Sequence, residues 1–122
     1  MTNLSPSSIP HPADAFVEAI NQGNLQKLLA VFAEDALVND QLHDYWGSGQ
    51  ITLWASRDII DDEISLHATS VTEHYGNVIL TAIVDGKFEK RGLPDPLILT
   101  FYFSSANSKI VQLIILRNEL GA

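Results

Sequence analysis

Residues 20–60 read INQGNLQKLLAVFAEDALVNDQLHDYWGSGQITLWASRDII, and the order of signals within them decides the fold. At the left edge, Gly23 closes a helix whose Phe16, Ala19 and Ile20 recur at i, i+3 and i+4 and form one apolar face. Asn24 then caps a second helix, predicted over residues 25–35, with Leu25, Leu28, Leu29 and Phe32 inward. Period-two alternation follows and predicts a strand over residues 36–43. One face carries Ala36, Val38, Asp40 and Leu42, and the other carries Leu37, Asn39, Gln41 and His43. YWGSG at 45–49 reads as a turn. Ser48 or Gly49 then opens a third helix with Ile51, Trp54, Ala55 and Asp58 on one stripe, widened by Ile59. Within this stretch Asp40 is the anomaly: it is a carboxylate on the face that should be buried.

Downstream the pattern changes to strands, expected at about 63–75, 77–90, 96–105 and 109–118. Gly76-Asn77, GLPDP and SSANS separate them. Helices gathered ahead of an antiparallel run imply an α+β fold. The expected architecture is a strongly bent antiparallel sheet wrapped on three N-terminal helices, enclosing a cone-shaped cavity open at one end. At the left of the chain, MTNLSPSSIPHP (residues 1–12) reads as a mobile arm, which leaves 13–122 as a single domain.

Composition narrows the partners. The 122 residues are 46% apolar, enough for a real core, and carry a formal charge of −8. That charge argues against nucleic acid, which needs a basic footprint, and against anionic membranes. The absence of cysteine excludes disulfides and thiolate chemistry. No apolar run approaches the ~20 residues of a membrane helix. The first residues lack the features of a secretory signal, so a cytoplasmic location is expected. His, Asp and Glu residues share no helical or hairpin spacing, and neither a metal nor another cofactor is expected.

With its helix ending at "GN", its apolar helix ending "FAEDALV" and its glycine before a short third helix, the 20–60 stretch resembles the opening half of the nuclear-transport-factor-2-like (NTF2-like) superfamily. That superfamily has the cystatin-like fold and includes ketosteroid isomerases and SnoaL-like polyketide cyclases. SSANSKIVQLIIL resembles its closing hairpin, and the likeness spans roughly residues 13–118. The resemblance implies that Asp40 falls at the general-base position of the ketosteroid isomerases. Their tyrosine on the first helix corresponds to Phe16, and their protonated aspartate on the penultimate strand to Thr100. It implies an activity class for the fold rather than for this chain, because the fold hosts many chemistries.

Read physically, a carboxylate in an apolar cavity loses hydration and its pKa rises toward the working range of a base. Two readings of Asp40 stand side by side. In one it takes a proton from carbon beside a carbonyl, or activates water. In the other it pairs with Arg117, which shares a strand face with Leu113 and Ile115 at the open end and which the resemblance places near the base. Candidate ligand contacts are Phe16, Val38, Trp54, Thr100, Tyr102, Leu113, Ile115 and Arg117. Tyr102 shares a face with Ile98 and Thr100 and would be the available hydroxyl donor if that face lines the cavity; a surface position is the alternative, since Phe101 and Phe103 claim the other face. Trp46 and Trp54 could roof it, with ordinary core as the alternative for Trp54. His67 and His74 lie seven residues apart on opposite faces of one strand unless a bulge intervenes.

Two functional readings follow. One is a pocket for a small, largely apolar or cyclic molecule, such as a cyclic ketone or polyketide, with proton-transfer or hydrolytic chemistry at Asp40. The other is a non-catalytic binding or dimerisation module with a structural Asp40–Arg117 pair. In both, ILTFYFSS and VQLIIL carry apolar residues on both faces. A sheet solvated on one side alternates polar with apolar, so a homodimer through the sheet is expected, as the resemblance also implies.

Overall fold

The computed structural model describes residues 1–117. Its elements are β1 (Thr2–Leu4), α1 (Ala13–Gln22), α2 (Leu25–Ala30), β2 (Phe32–Asp40), β3 (His43–Trp46), α3 (Gly47–Trp54), β4 (Ser65–His74), β5 (Asn77–Asp85), β6 (Leu97–Ala106) and β7 (Lys109–Arg117). A π-helical turn, Ala55–Ile60, continues α3. Among the described residues the seven strands form one sheet in the order β1-β4-β5-β6-β7-β2-β3. The helices sit on this open, curved sheet, which makes the chain α+β.

Local chemistry explains the first two helices. Gly23 adopts φ 64°, and the backbone N–H groups of Gly23 and Asn24 close α1 on the carbonyls of Ile20 and Ala19 at 2.9 and 3.0 Å. Asn24 Oδ1 then accepts from the backbone N–H of Lys27 at 3.0 Å, capping α2. The expected stripe of α1 is buried as read: Phe16, Ala19 and Ile20 are all core.

The second helix is shorter than its pattern predicts, and the reason is tertiary. Ile110 N–H donates to the Val31 carbonyl at 2.8 Å, and the Lys109 ammonium bonds the Ala30 carbonyl. The chain is thereby drawn into the sheet at Phe32, beside Ile110 of β7. Because β2 and β7 run parallel while every other pair is antiparallel, the sheet is mixed, not wholly antiparallel as expected.

The first strand also ends earlier than read. Asp40 and His43 pair directly, so Gln41 and Leu42 form a two-residue hairpin turn at φ 52° and 70°. Leu42, placed inward by simple alternation, is instead 81% exposed. Tyr45 and Trp46, read as a turn, are the second strand of this hairpin. At the other end of the chain, residues 2–4, within the stretch expected as a mobile arm, pair with β4.

The core is aromatic at its centre. Phe16 packs edge-on against Phe32 and Phe103 at centroid separations of 6.2 and 5.2 Å, and Phe32 meets Trp54 at 6.3 Å. The far face of the sheet is also apolar. Ile79, Tyr102 and Ile114 lie side by side across β5, β6 and β7, followed by Thr81, Thr100 and Leu116, then Ile83 and Ile98. A bulge between Ala68 and Ser70 shifts the parity of β4. It turns both His67 and His74 onto this far face, where both are exposed.

Candidate functional site

The hairpin turn that ends β2 leaves Asp40 as its last inward residue, after the buried Ala36 and Val38. Its carboxylate meets a cavity of about 380 Å³. The walls are aliphatic and aromatic: Ile59, Leu66, Leu97, Leu99, Phe101 and Ile115 contribute, and Phe88 and Leu93 close one side. The polar lining consists of Asp40, Gln41, Asp58, Asp62 and Arg117. Most of the wall is therefore apolar, with three carboxylates, an amide and a guanidinium on its lining.

Among the described residues two side chains donate to Asp40. Trp54 Nε1–H donates to Oδ2 at 3.0 Å, and the Gln41 side-chain amide reaches Oδ1 at 3.4 Å. Gln41 is itself anchored, since both its backbone N–H and its side-chain amide donate to the Ile115 carbonyl, at 3.0 and 3.2 Å. That double anchor holds Gln41 at positive φ, an unfavourable conformation for a residue with a side chain. The turn next to the carboxylate is therefore strained and tied down, which fixes where Asp40 points.

Burial raises the Asp40 pKa above the ordinary carboxylate range, and the negative charge of Asp58 raises it further. The hydrogen bonds from Trp54 and Gln41, and the nearby His43, act in the opposite direction. Burial dominates, so Asp40 is a carboxylate whose proton affinity is increased by its setting.

Asp58 reaches the cavity from the π-helical turn. Arg57 grips it with two hydrogen bonds, Nε to Oδ1 at 2.8 Å and a terminal nitrogen to Oδ2 at 3.1 Å. The same guanidinium donates to Tyr45 Oη at 3.3 Å, and the Tyr45 ring lies 6.3 Å from that of Trp54. Single π-helical turns recur at functional sites because they reset the phase of a helix.

Of the residues singled out from sequence, Asp40, Ile115 and Arg117 line the cavity together. Trp54 touches it through its bond to Asp40 and is otherwise enclosed in the core. Phe16, Val38 and Leu113 face inward, as read, but are fully buried behind the cavity wall. Thr100 and Tyr102 are on the far face of the sheet, because Leu99, Phe101 and Phe103 take the inward positions of β6. Tyr102 is 40% exposed there, so it is not the missing donor. Trp46 is also on that face, opposite Leu37, and 60% exposed. Among the described residues the hydrogen bonds to Asp40 come from Trp54 and Gln41, and Arg117, the partner suggested by the sequence, lines the same cavity. Among the described residues no group of three or more His, Cys, Asp or Glu side chains is arranged to hold a metal ion.

Asp58 was visible in the sequence as an acid on the apolar stripe of the third helix, the same signal that singled out Asp40. Leu93 carried a weaker sign, as an apolar residue inside the GLPDP break, whereas Phe88 was expected in a strand that in the structure ends at Asp85.

No protein-family model matches the chain, and no curated protein matches it in sequence. Solved structures do match it in shape. A Sinorhizobium meliloti protein assigned as a polyketide cyclase superposes with a TM-score of 0.81 at 22% identity, covering 93% of this chain and 100% of that one. An NTF2-like protein of unknown function from Cytophaga hutchinsonii gives 0.71 at 13% identity, over 96% and 93%. The Δ5-3-ketosteroid isomerase of a Mycobacterium species gives 0.69 at 12% identity, over 87% and 89%. At these identities the likeness is one of fold, and the chain has the NTF2-like, SnoaL-like fold read from its sequence. Among the described residues no helix is long and apolar enough to cross a membrane.

Proposed function

We propose that the chain binds a small, largely apolar carbonyl compound in the Asp40 cavity and moves a proton on it, with Asp40 as the base. The observation that carries this reading is the setting of Asp40: a carboxylate, with its proton affinity raised by burial, at the wall of a chamber lined mostly by aliphatic and aromatic side chains. A base of that kind suits removal of a proton from carbon next to a carbonyl, or activation of a water held in the chamber. The chamber suits a cyclic ketone or a polyketide fragment. The acid side of the site differs from that of an isomerase with strong oxyanion donors, since Phe16 offers no hydroxyl and Thr100 faces away. This favours substrates whose α-protons are already acidic, such as 1,3-dicarbonyl compounds.

The test is α-proton exchange. A cyclic 1,3-diketone in deuterated buffer should exchange faster with wild-type protein than with Asp40→Asn, as read by proton NMR. Equal rates with both proteins, at the rate of buffer alone, would leave the cavity a binding site without catalysis.

A second reading concerns the far face of the sheet and is favoured by its composition. Ile79, Ile83, Ile98, Ile114 and Leu116 form a largely apolar surface around Tyr102, with Thr81 and Thr100 among them. We infer that two copies of the chain associate through it, which would remove that surface from water.

A further inference from the structure

The connection between β5 and β6, residues 86–96, does more than join two strands. Gly86 is pressed against the segment that follows the π-helical turn: a Cβ at this position would lie 2.8 Å from the Asp62 carbonyl oxygen and from the Ile64 side chain. The next residue reinforces the contact. Lys87 N–H donates to the Asp62 carbonyl at 2.6 Å, and its ammonium pairs with Glu63 at 2.6 Å. With its start pinned in this way, the connection carries Phe88 and Leu93 onto the cavity.

Both residues also line a second chamber of about 400 Å³, together with Val84 and Leu97, which are likewise shared. Asp85, Lys90 and Asp95 give that outer chamber a polar rim. Lys90 pairs with Asp85 at 2.8 Å while its ammonium sits 5.5 Å from the centroid of the Phe88 ring. Phe88 is thus in contact with a cation and borders both chambers.

We propose that the two chambers are one divided ligand site, in which Phe88 and Leu93 form the partition and set the length of ligand accepted. This rests on the reading that the Asp40 cavity binds an apolar carbonyl compound. The inner chamber takes a body that fits short of Phe88. A longer chain reaches the outer chamber only if the partition is displaced or removed. Phe88 is therefore a specificity-determining residue that touches the far end of the ligand and has no part in the proton transfer.

A homologous series of straight-chain methyl ketones, from hexanone to tetradecanone, tests this by isothermal titration calorimetry. With wild-type protein, affinity should rise by about fourfold per added methylene while the inner chamber fills, and then stop rising. With Phe88→Ala the rise should continue over several further carbons, so that the longest ketones gain at least about tenfold over wild type while hexanone changes little. Leu93→Ala, on the same partition, should move the break in the same direction and provides an independent variant if Phe88→Ala folds poorly. A break at the same chain length in all three proteins would overturn the partition while leaving the pocket reading intact. Ketones that bind none of the proteins, wild type included, would overturn the pocket reading itself.

Discussion

The indole N–H of Trp54 donates to Asp40 Oδ2 at 3.0 Å, joining the third helix to the last inward position of β2. Trp54 is fully buried and Asp40 half-buried. The bond therefore gives a carboxylate that has lost much of its water one fixed, well-aligned donor in return. Trp54→Phe removes that donor together with part of a buried ring, and should cost at least about 1.5–3 kcal/mol in urea unfolding, the usual worth of a hydrogen bond to a charged group, with a cavity cost added. The Asp40 pKa should rise further, since the Trp54 bond is the largest influence lowering it.

Asp40→Asn tests the balance of that exchange. The Asp40 pKa is raised in the folded state, so the native protein holds a proton that the unfolded chain has already released. The ionised group is consequently a burden on stability at pH values above its folded pKa. That burden disappears as the pH falls below the unfolded value. Asp40→Asn should accordingly melt at a higher temperature than wild type at neutral pH, and the gap should close as the buffer is acidified. A variant less stable than wild type at neutral pH would instead mean that the charge anchors a cation such as Arg117.

Asp58→Asn should lower the Asp40 pKa toward the ordinary range, because the Asp58 charge is one of the two influences that raise it. Carbon-detected NMR of the Asp40 carboxyl group would follow this directly, without any substrate. An unchanged titration would mean that solvent at the cavity mouth screens the two carboxylates from one another.

Phe16→Ala addresses the core and not the cavity. Phe16 is surrounded by Phe32, Phe101 and Phe103, and its loss should cost roughly 3–5 kcal/mol, within the range for a buried aromatic. The Asp40 titration should move little, since Phe16 lies behind the wall and does not touch the carboxylate.

Ile114→Lys places a charge in the middle of the apolar far face, beside Tyr102. If two copies meet there, light scattering should show wild-type protein at twice the chain mass and the variant at the chain mass. Wild-type protein that is monomeric at high concentration would refute the dimer.

Much of the fold was legible because its signals are local. Gly23 and Asn24 mark a helix end and a helix start through backbone geometry and one side-chain bond, neither of which needs a distant partner. The inward setting of Ala36, Val38 and Asp40 follows from the two-residue period of any strand. The inward acid on the third helix was equally legible, since Asp58 interrupts an apolar stripe.

What escaped reading depends on contacts distant in sequence. The end of α2 is decided by hydrogen bonds from Lys109 and Ile110, which lie far along the chain. The sequence left open which face of β6 looks inward, and packing decides it: Thr100 and Tyr102 face out because Phe101 and Phe103 close on Phe16. A single bulge in β4 reverses the parity that placed His67 and His74 on opposite faces, and nothing in the local pattern marks it. The sequence by itself thus determined that an acid would sit on the buried face of a sheet covered by helices, because patterning and capping act over a few residues. Only the tertiary structure decided what that acid meets: a tryptophan, a strained glutamine and a second aspartate gather around it through strand register and a π-helical turn, which are properties of the folded chain as a whole.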